Sequence, residues 1–139
     1  MGCKATCCTD GRYLGLLYVD PANRHDITIV KGNREDFAER FRGCTVLMDK
    51  GYIDGRFAEE MGEEGVEYIA IKRRNMIKTE EERAYYRVLN RVRRLIETRF
   101  SQLEEYGLRS VRAITRRGLA LKIITAILAF NIYQMIETI

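Results

Sequence analysis

Apolar and polar positions along this chain change period twice, and the changes predict an α/β protein in which short strands are followed by two long helices. The first thirty residues read as β-structure: β-compatible runs at residues 3–8 and 13–19 flank Thr9-Asp10-Gly11-Arg12. An Asp-Gly pair between two such runs marks a tight hairpin, so two antiparallel strands are expected. Pro21-Ala22-Asn23-Arg24-His25-Asp26 then breaks the pattern as a turn or loop. Phe37, Ala38 and Phe41 recur at helical intervals, predicting a helix over residues 34–41 before Gly43.

Residues 44–48 form a continuous apolar run between glycines, the pattern of a strand buried on both faces at the centre of a mixed sheet. Asp49 emerges at the C-terminal end of that strand, where active sites tend to sit. Residues 56–61 read as a short helix, and residues 66–71 as a further strand that ends at Lys72-Arg73-Arg74. Thr79-Glu80-Glu81-Glu82 has the form of a capping box and starts a long helix. Tyr85, Leu89, Val92, Ile96, Phe100 and Leu103 line one face of it as far as the stop at Gly107. Ser110 is placed to cap a final helix that carries Val111, Ile114, Leu121 and the apolar tail.

At 139 residues and 46% apolar content, with one proline, the chain is long enough for a real core and reads as a single domain over residues 1–139. Charge sharpens that picture. Residues 72–122 hold 15 Lys/Arg against 6 Asp/Glu, a local balance of +9, so the rest of the chain carries −5 of the net +4. A basic segment joined to an acidic one suits a protein that brings carboxylates close to a polyanion, although a solvated helix face gives the same count. Cys3, Cys7, Cys8 and Cys44 lack zinc-ligand spacing and no secretory leader precedes them, so buried, reduced thiols in a cytoplasmic protein are expected. Residues 119–136 approach membrane hydrophobicity, but Lys122, Asn131 and Gln134 interrupt them. The uninterrupted run is too short to span, which predicts a buried terminal helix and no membrane partner.

Phosphoryl transfer on DNA gains from divalent ions about 4 Å apart that activate the attacking oxygen and stabilise the leaving one. Magnesium takes hard oxygen ligands and needs only a few carboxylates. Asp49 at a strand end and Glu97 on the long helix supply two such groups if that helix lies against the sheet. Arg93, four residues before Glu97, shares its helix face and is positioned to orient the carboxylate or hold a phosphate; the ordinary reading is an exposed ion pair. Arg83, Arg87, Arg91 and Arg94 make a second basic stripe, which with Lys72, Arg73, Arg74 and Lys78 is suited to following a DNA backbone. His25-Asp26 reads as a structural turn, and Tyr52 and Tyr106 as core or rim residues.

In order and rough spacing, Asp10-Gly11-Arg12, Pro21-Ala22-Asn23-Arg24-His25-Asp26, Asp49-Lys50-Gly51-Tyr52 and Arg93-x-x-x-Glu97 with Phe100 and Leu103 resemble the later part of DDE transposases of bacterial insertion sequences. The resemblance covers nearly the whole chain. It implies an RNase H-like mixed sheet flanked by helices, incomplete at its N-terminus, with a site dependent on Mg2+ or Mn2+ that nicks transposon ends and joins them to target DNA. Asp49 then corresponds to the second acidic ligand, Glu97 to the third, and Arg93 to an arginine beside the phosphate. The first aspartate of the family lies on a strand upstream of Gly2, and neither Asp10 nor Asp20 replaces it. Asn90 and Glu104 stand where related enzymes often have a tyrosine and a lysine. The expected partners are transposon-end and target DNA, with a second copy or a full-length transposase. The alternative class is a non-catalytic DNA-binding or regulatory fragment that inhibits the full-length enzyme; a nuclease of similar fold is a third.

Overall fold

The computed structural model describes residues 3–109 and 115–138. Its backbone forms an α/β structure with two compact units, residues 24–93 and residues 1–23 with 94–139. The element order is β1 (Cys3–Thr9), β2 (Leu14–Pro21), α1 (Asp26–Gly32), α2 (Arg34–Phe41), β3 (Thr45–Met48), α3 (Gly55–Glu63), β4 (Glu67–Ala70), α4 (Glu80–Glu104) and α5 (Arg116–Glu137).

In the unit of residues 1–23 and 94–139, β1 and β2 form the expected antiparallel hairpin, paired from Cys3 opposite Pro21 to Thr9 opposite Leu14 with a one-residue register shift between Thr6 and Cys7. Gly11 takes φ +96°, a conformation that favours glycine. The Asp10 carboxylate accepts from the Tyr13 N–H at 2.7 Å and the Arg12 N–H at 2.9 Å, and these bonds, Tyr13 first, lower its pKa. Ile123, Ala126, Ile127 and Phe130 of α5 form a core with Leu14 and Leu103. Asn131 completes this packing: its side chain accepts from the Leu14 N–H at 2.9 Å and donates to the Leu14 carbonyl at 2.8 Å. That reciprocal pair satisfies the backbone at the start of β2.

In the unit of residues 24–93, β3 and β4 are parallel, with Thr45 opposite Glu67 and Met48 opposite Ala70. The connecting helix α3 begins at Asp54, whose carboxylate accepts from the Phe57 N–H at 3.0 Å and from Lys31 Nζ at 2.6 Å. Such a cap is worth about 1 kcal/mol. Phe37 and Phe57 are buried and meet Tyr68, with Phe57 and Tyr68 edge to face at 5.4 Å.

The capping box at the start of α4 forms as its sequence predicts. The Glu82 N–H donates to Thr79 Oγ1 at 3.1 Å, and Glu82 Oε2 accepts from the Thr79 and Lys78 N–H groups. Lys72 Nζ adds a bond of 2.6 Å. Lys72 first, then the Lys78 and Thr79 N–H bonds, hold the Glu82 carboxyl down at about 2, below its ordinary 4.5. A group depressed on folding stabilises the folded state above its ordinary value, and that contribution disappears as pH falls through the folded one. Acidification from 4.5 to about 2 is therefore expected to fray the first turn of α4, read as faster amide exchange at residues 82–86, and Glu82→Gln is expected to remove that pH dependence.

Several expectations need correction. Ile27, Thr28, Ile29 and Val30 read as strand yet belong to α1, where Ile29 and Val30 are wholly buried. Burial of two branched side chains on one helix face outweighs their weak preference for extended backbone. Strand β3 is not sealed on both faces: its residues run from exposed to half-buried, and among the described residues it pairs only with β4. Of the thiols, Cys44 is exposed and Cys3, Cys7 and Cys8 are half-buried. Burial, with Cys8 alongside, pushes the Cys7 thiol up to about 11, which leaves little reactive thiolate at neutral pH. Helix α5 buries one face only, and Leu121 is 64% exposed. By length and composition this helix is long and apolar enough to cross a membrane, and five of its side chains are buried within the protein. Ser110, Val111 and Ile114 lie outside the described residues; the side chain that caps α5 is Thr115, which accepts from the Gly118 N–H at 3.1 Å.

Candidate active site

Asp49 follows the last residue of β3 and turns the chain into a short 3-10 turn, Lys50–Tyr52, whose Tyr52 N–H donates to the Asp49 carbonyl at 2.9 Å. This turn is tight against α1: a Cβ on Gly51 would stand 3.2 Å from Asp26 Oδ2. Tyr68 holds the turn from the core side, its hydroxyl donating to the Tyr52 carbonyl at 2.7 Å. Burial pushes the Tyr68 hydroxyl pKa up, so it remains a donor at any physiological pH.

From α4, Arg93 Nε reaches Asp49 Oδ1 at 3.2 Å, with the two side chains 37% and 46% exposed. At that exposure the pair contributes on the order of 0–1 kcal/mol to stability, so its interest is positional. Both residues line a solvent-open basin of about 460 Å³, together with Lys50, Lys72, Arg73 and Arg74. Five cations thus surround one carboxylate. Lys72 is itself tied to Glu82, and Arg73 and Arg74 are exposed at the end of β4.

The structure therefore brings Asp49, Arg93, Lys72, Arg73 and Arg74 together in one unit. Glu97 is exposed on α4, one turn beyond Arg93, and belongs to the other unit. Arg83 and Arg87 pair with Glu80 at 3.2 and 4.0 Å, so those two stripe members are engaged within their own helix. Arg91 and Arg94 are exposed on α4, and Lys78 contributes its backbone N–H to Glu82. His25 is the residue before α1, its carbonyl accepting from Thr28 and Ile29. Tyr106 packs edge to face on Phe130 at 5.8 Å.

Lys50, Tyr86 and Asn90 also line the basin, and the sequence reading assigned none of them a role in the site. A signal for two of them was present. Tyr86, Asn90 and Arg93 are spaced four and three apart, the interval that stacks side chains on one helix face, and Glu97 continues the row.

Among the described residues no group of three or more His, Cys, Asp or Glu side chains is placed to hold a metal ion. Asp49 fits such a role as a single ligand: it is a hard oxygen donor, partly exposed, at the rim of a basin wide enough for a phosphate.

A strand-end carboxylate within a ring of cations is an arrangement chemically suited to phosphate groups. A family model described as Transposase DDE domain matches residues 1–132, and the chain belongs to that family. No curated protein and no solved structure matches it.

Proposed function

We propose that this chain acts in DNA transposition as part of an RNase H-like catalytic domain, in the cytoplasm, cutting DNA strands at transposon ends and joining them to target DNA. The observation that carries the reading is the Arg93–Asp49 pair inside a basic basin of a DDE transposase family member. Asp49 and Glu97 are the carboxylates proposed to hold Mg2+ or Mn2+, Glu97 because it continues the Tyr86, Asn90, Arg93 row of α4. When bound, such an ion supplies charge stabilisation at the oxygens that exchange on phosphorus.

The chain's own residues have separate tasks. Lys72, Arg73 and Arg74 hold the phosphate backbone, Arg93 orients the Asp49 carboxylate and the phosphate beside it, and Arg83, Arg87, Arg91 and Arg94 extend the basic track along α4. Contacts of that kind fix position and register and carry little sequence information. The test is incubation of the protein with supercoiled plasmid and with pre-cut transposon ends, with and without Mg2+. Nicked and joined products are expected, and nicking without joining points to a nuclease of similar fold.

One observation favours a second reading, a DNA-binding or regulatory module: five cations against one carboxylate serve phosphate binding better than metal binding. Binding with no metal-dependent cleavage in the same assay selects it. Both readings share one prediction. Arg73→Ala with Arg74→Ala is expected to weaken DNA binding about 10–100-fold at moderate salt and to reduce the log–log salt slope by about 2. Titration at several salt concentrations measures both quantities.

A further inference from the structure

Helix α1 meets the turn that follows Asp49, and the point of contact is a charged side chain. Ile29 and Val30 are wholly buried, so the helix is fixed in the core of its unit. Asp26 stands in its first turn, half-buried, with a carboxylate oxygen close against Gly51: a Cβ on that glycine would lie 3.2 Å from Asp26 Oδ2. That separation is tighter than ordinary carbon–oxygen packing, so the approach is open to glycine and crowded for any other residue. Among the described residues positive φ falls on Gly11, Gly43, Gly65 and Gly107 and not on Gly51, so backbone conformation gives no separate reason for a glycine there.

We propose that Asp26, given the metal role proposed above for Asp49, is its positioning residue: the Asp26 carboxylate acts as a stop for Gly51 and so fixes the turn that sets where the Asp49 side chain stands. The turn is then held from two sides, by Asp26 at Gly51 and by the Tyr68 hydroxyl at the Tyr52 carbonyl. Its closing bond, from the Tyr52 N–H to the Asp49 carbonyl at 2.9 Å, carries any shift of the turn into the Asp49 backbone. The Asp49 side chain is 46% exposed, so packing around it supplies little restraint and its backbone decides the placement of the carboxylate. Asp26 acts on the glycine by shape, so Asp26→Asn keeps the stop and Asp26→Ala removes it.

A double-mutant cycle on the full chain tests this, read by Mn2+ binding in electron paramagnetic resonance and by amide exchange at Tyr52. Asp26→Ala and Gly51→Ala are each expected to weaken Mn2+ binding about 3–10-fold and to speed Tyr52 exchange, with the circular dichroism spectrum unchanged and DNA affinity within about twofold. Asp26→Ala with Gly51→Ala is expected to be no worse than Asp26→Ala alone, since the added methyl then meets emptied space. Asp26→Asn is expected to match the native chain within about twofold. Losses that add in the double variant overturn the proposal, as does coupled exchange with native Mn2+ affinity throughout, which shows a structural contact only. An Asp26→Asn chain as impaired as Asp26→Ala makes Asp26 a ligand by charge and overturns it equally. If the native chain binds no Mn2+, the metal role of Asp49 falls, and the exchange cycle alone decides whether Asp26 fixes the turn.

Discussion

Asp49→Asn is expected to lower magnesium-dependent DNA cleavage by about 10²–10⁴-fold, a loss of roughly 3–5 kcal/mol of transition-state stabilisation. The substitution keeps the shape of the side chain and removes its charge. Three other measurements give this result its meaning. Stability is expected to stay within about 0.5 kcal/mol, because the Asp49 side chain is 46% exposed and its pairing with Arg93 is a surface one. DNA affinity is expected to hold or rise slightly, since the change removes a carboxylate from a basin lined by five cations. Binding of Mn2+, followed by electron paramagnetic resonance, is expected to weaken. Glu97→Gln is expected to reproduce the losses in cleavage and in Mn2+ binding. Unchanged cleavage and Mn2+ affinity in Asp49→Asn would remove Asp49 from the metal site and leave the basin as a phosphate-binding surface.

Much of the framework was legible because it rests on local rules. The Asp10-Gly11 turn, the helix over residues 34–41, the Thr79–Glu82 capping box and the stop at Gly107 each depend on backbone geometry that neighbouring residues dictate. Long-range partnership was harder to read. Ile27 to Val30 looks like a strand until the core that Ile29 and Val30 enter is known. Asn131 looked like an interruption in an apolar run, but it pairs with the Leu14 backbone 117 residues away in sequence. The same holds for the site. Asp49 was conspicuous from its strand end, whereas Tyr86 and Asn90 were overshadowed by the apolar stripe one residue out of phase with them. Helical spacing exposes that second row once Arg93 is taken as its reference.

Phe57→Ala is expected to destabilise the unit of residues 24–93 by about 3–5 kcal/mol, the usual cost of emptying a buried aromatic site. Phe57 is 1% exposed, stands within 6.4 Å of Phe37 and 5.4 Å of Tyr68 between ring centroids, and occupies the first turn of α3. Phe57→Leu preserves more of the volume and is expected to cost less, about 1–3 kcal/mol, so the pair of variants separates cavity formation from loss of the ring. Urea unfolding measures both through the midpoint. The functional consequence follows from one hydrogen bond. Tyr68 packs on Phe57 and its hydroxyl holds the Tyr52 carbonyl at the end of the turn that begins after Asp49. A cavity beneath Tyr68 loosens that clamp, so in any Phe57→Ala protein that still folds, cleavage is expected to fall further than DNA binding. Under the proposed function, phosphate contacts by the basic residues after β4 demand less exact placement than metal ligation by the Asp49 carboxylate. Equal losses in cleavage and binding would show instead that the core acts on the unit as a whole and sets no particular position for Asp49.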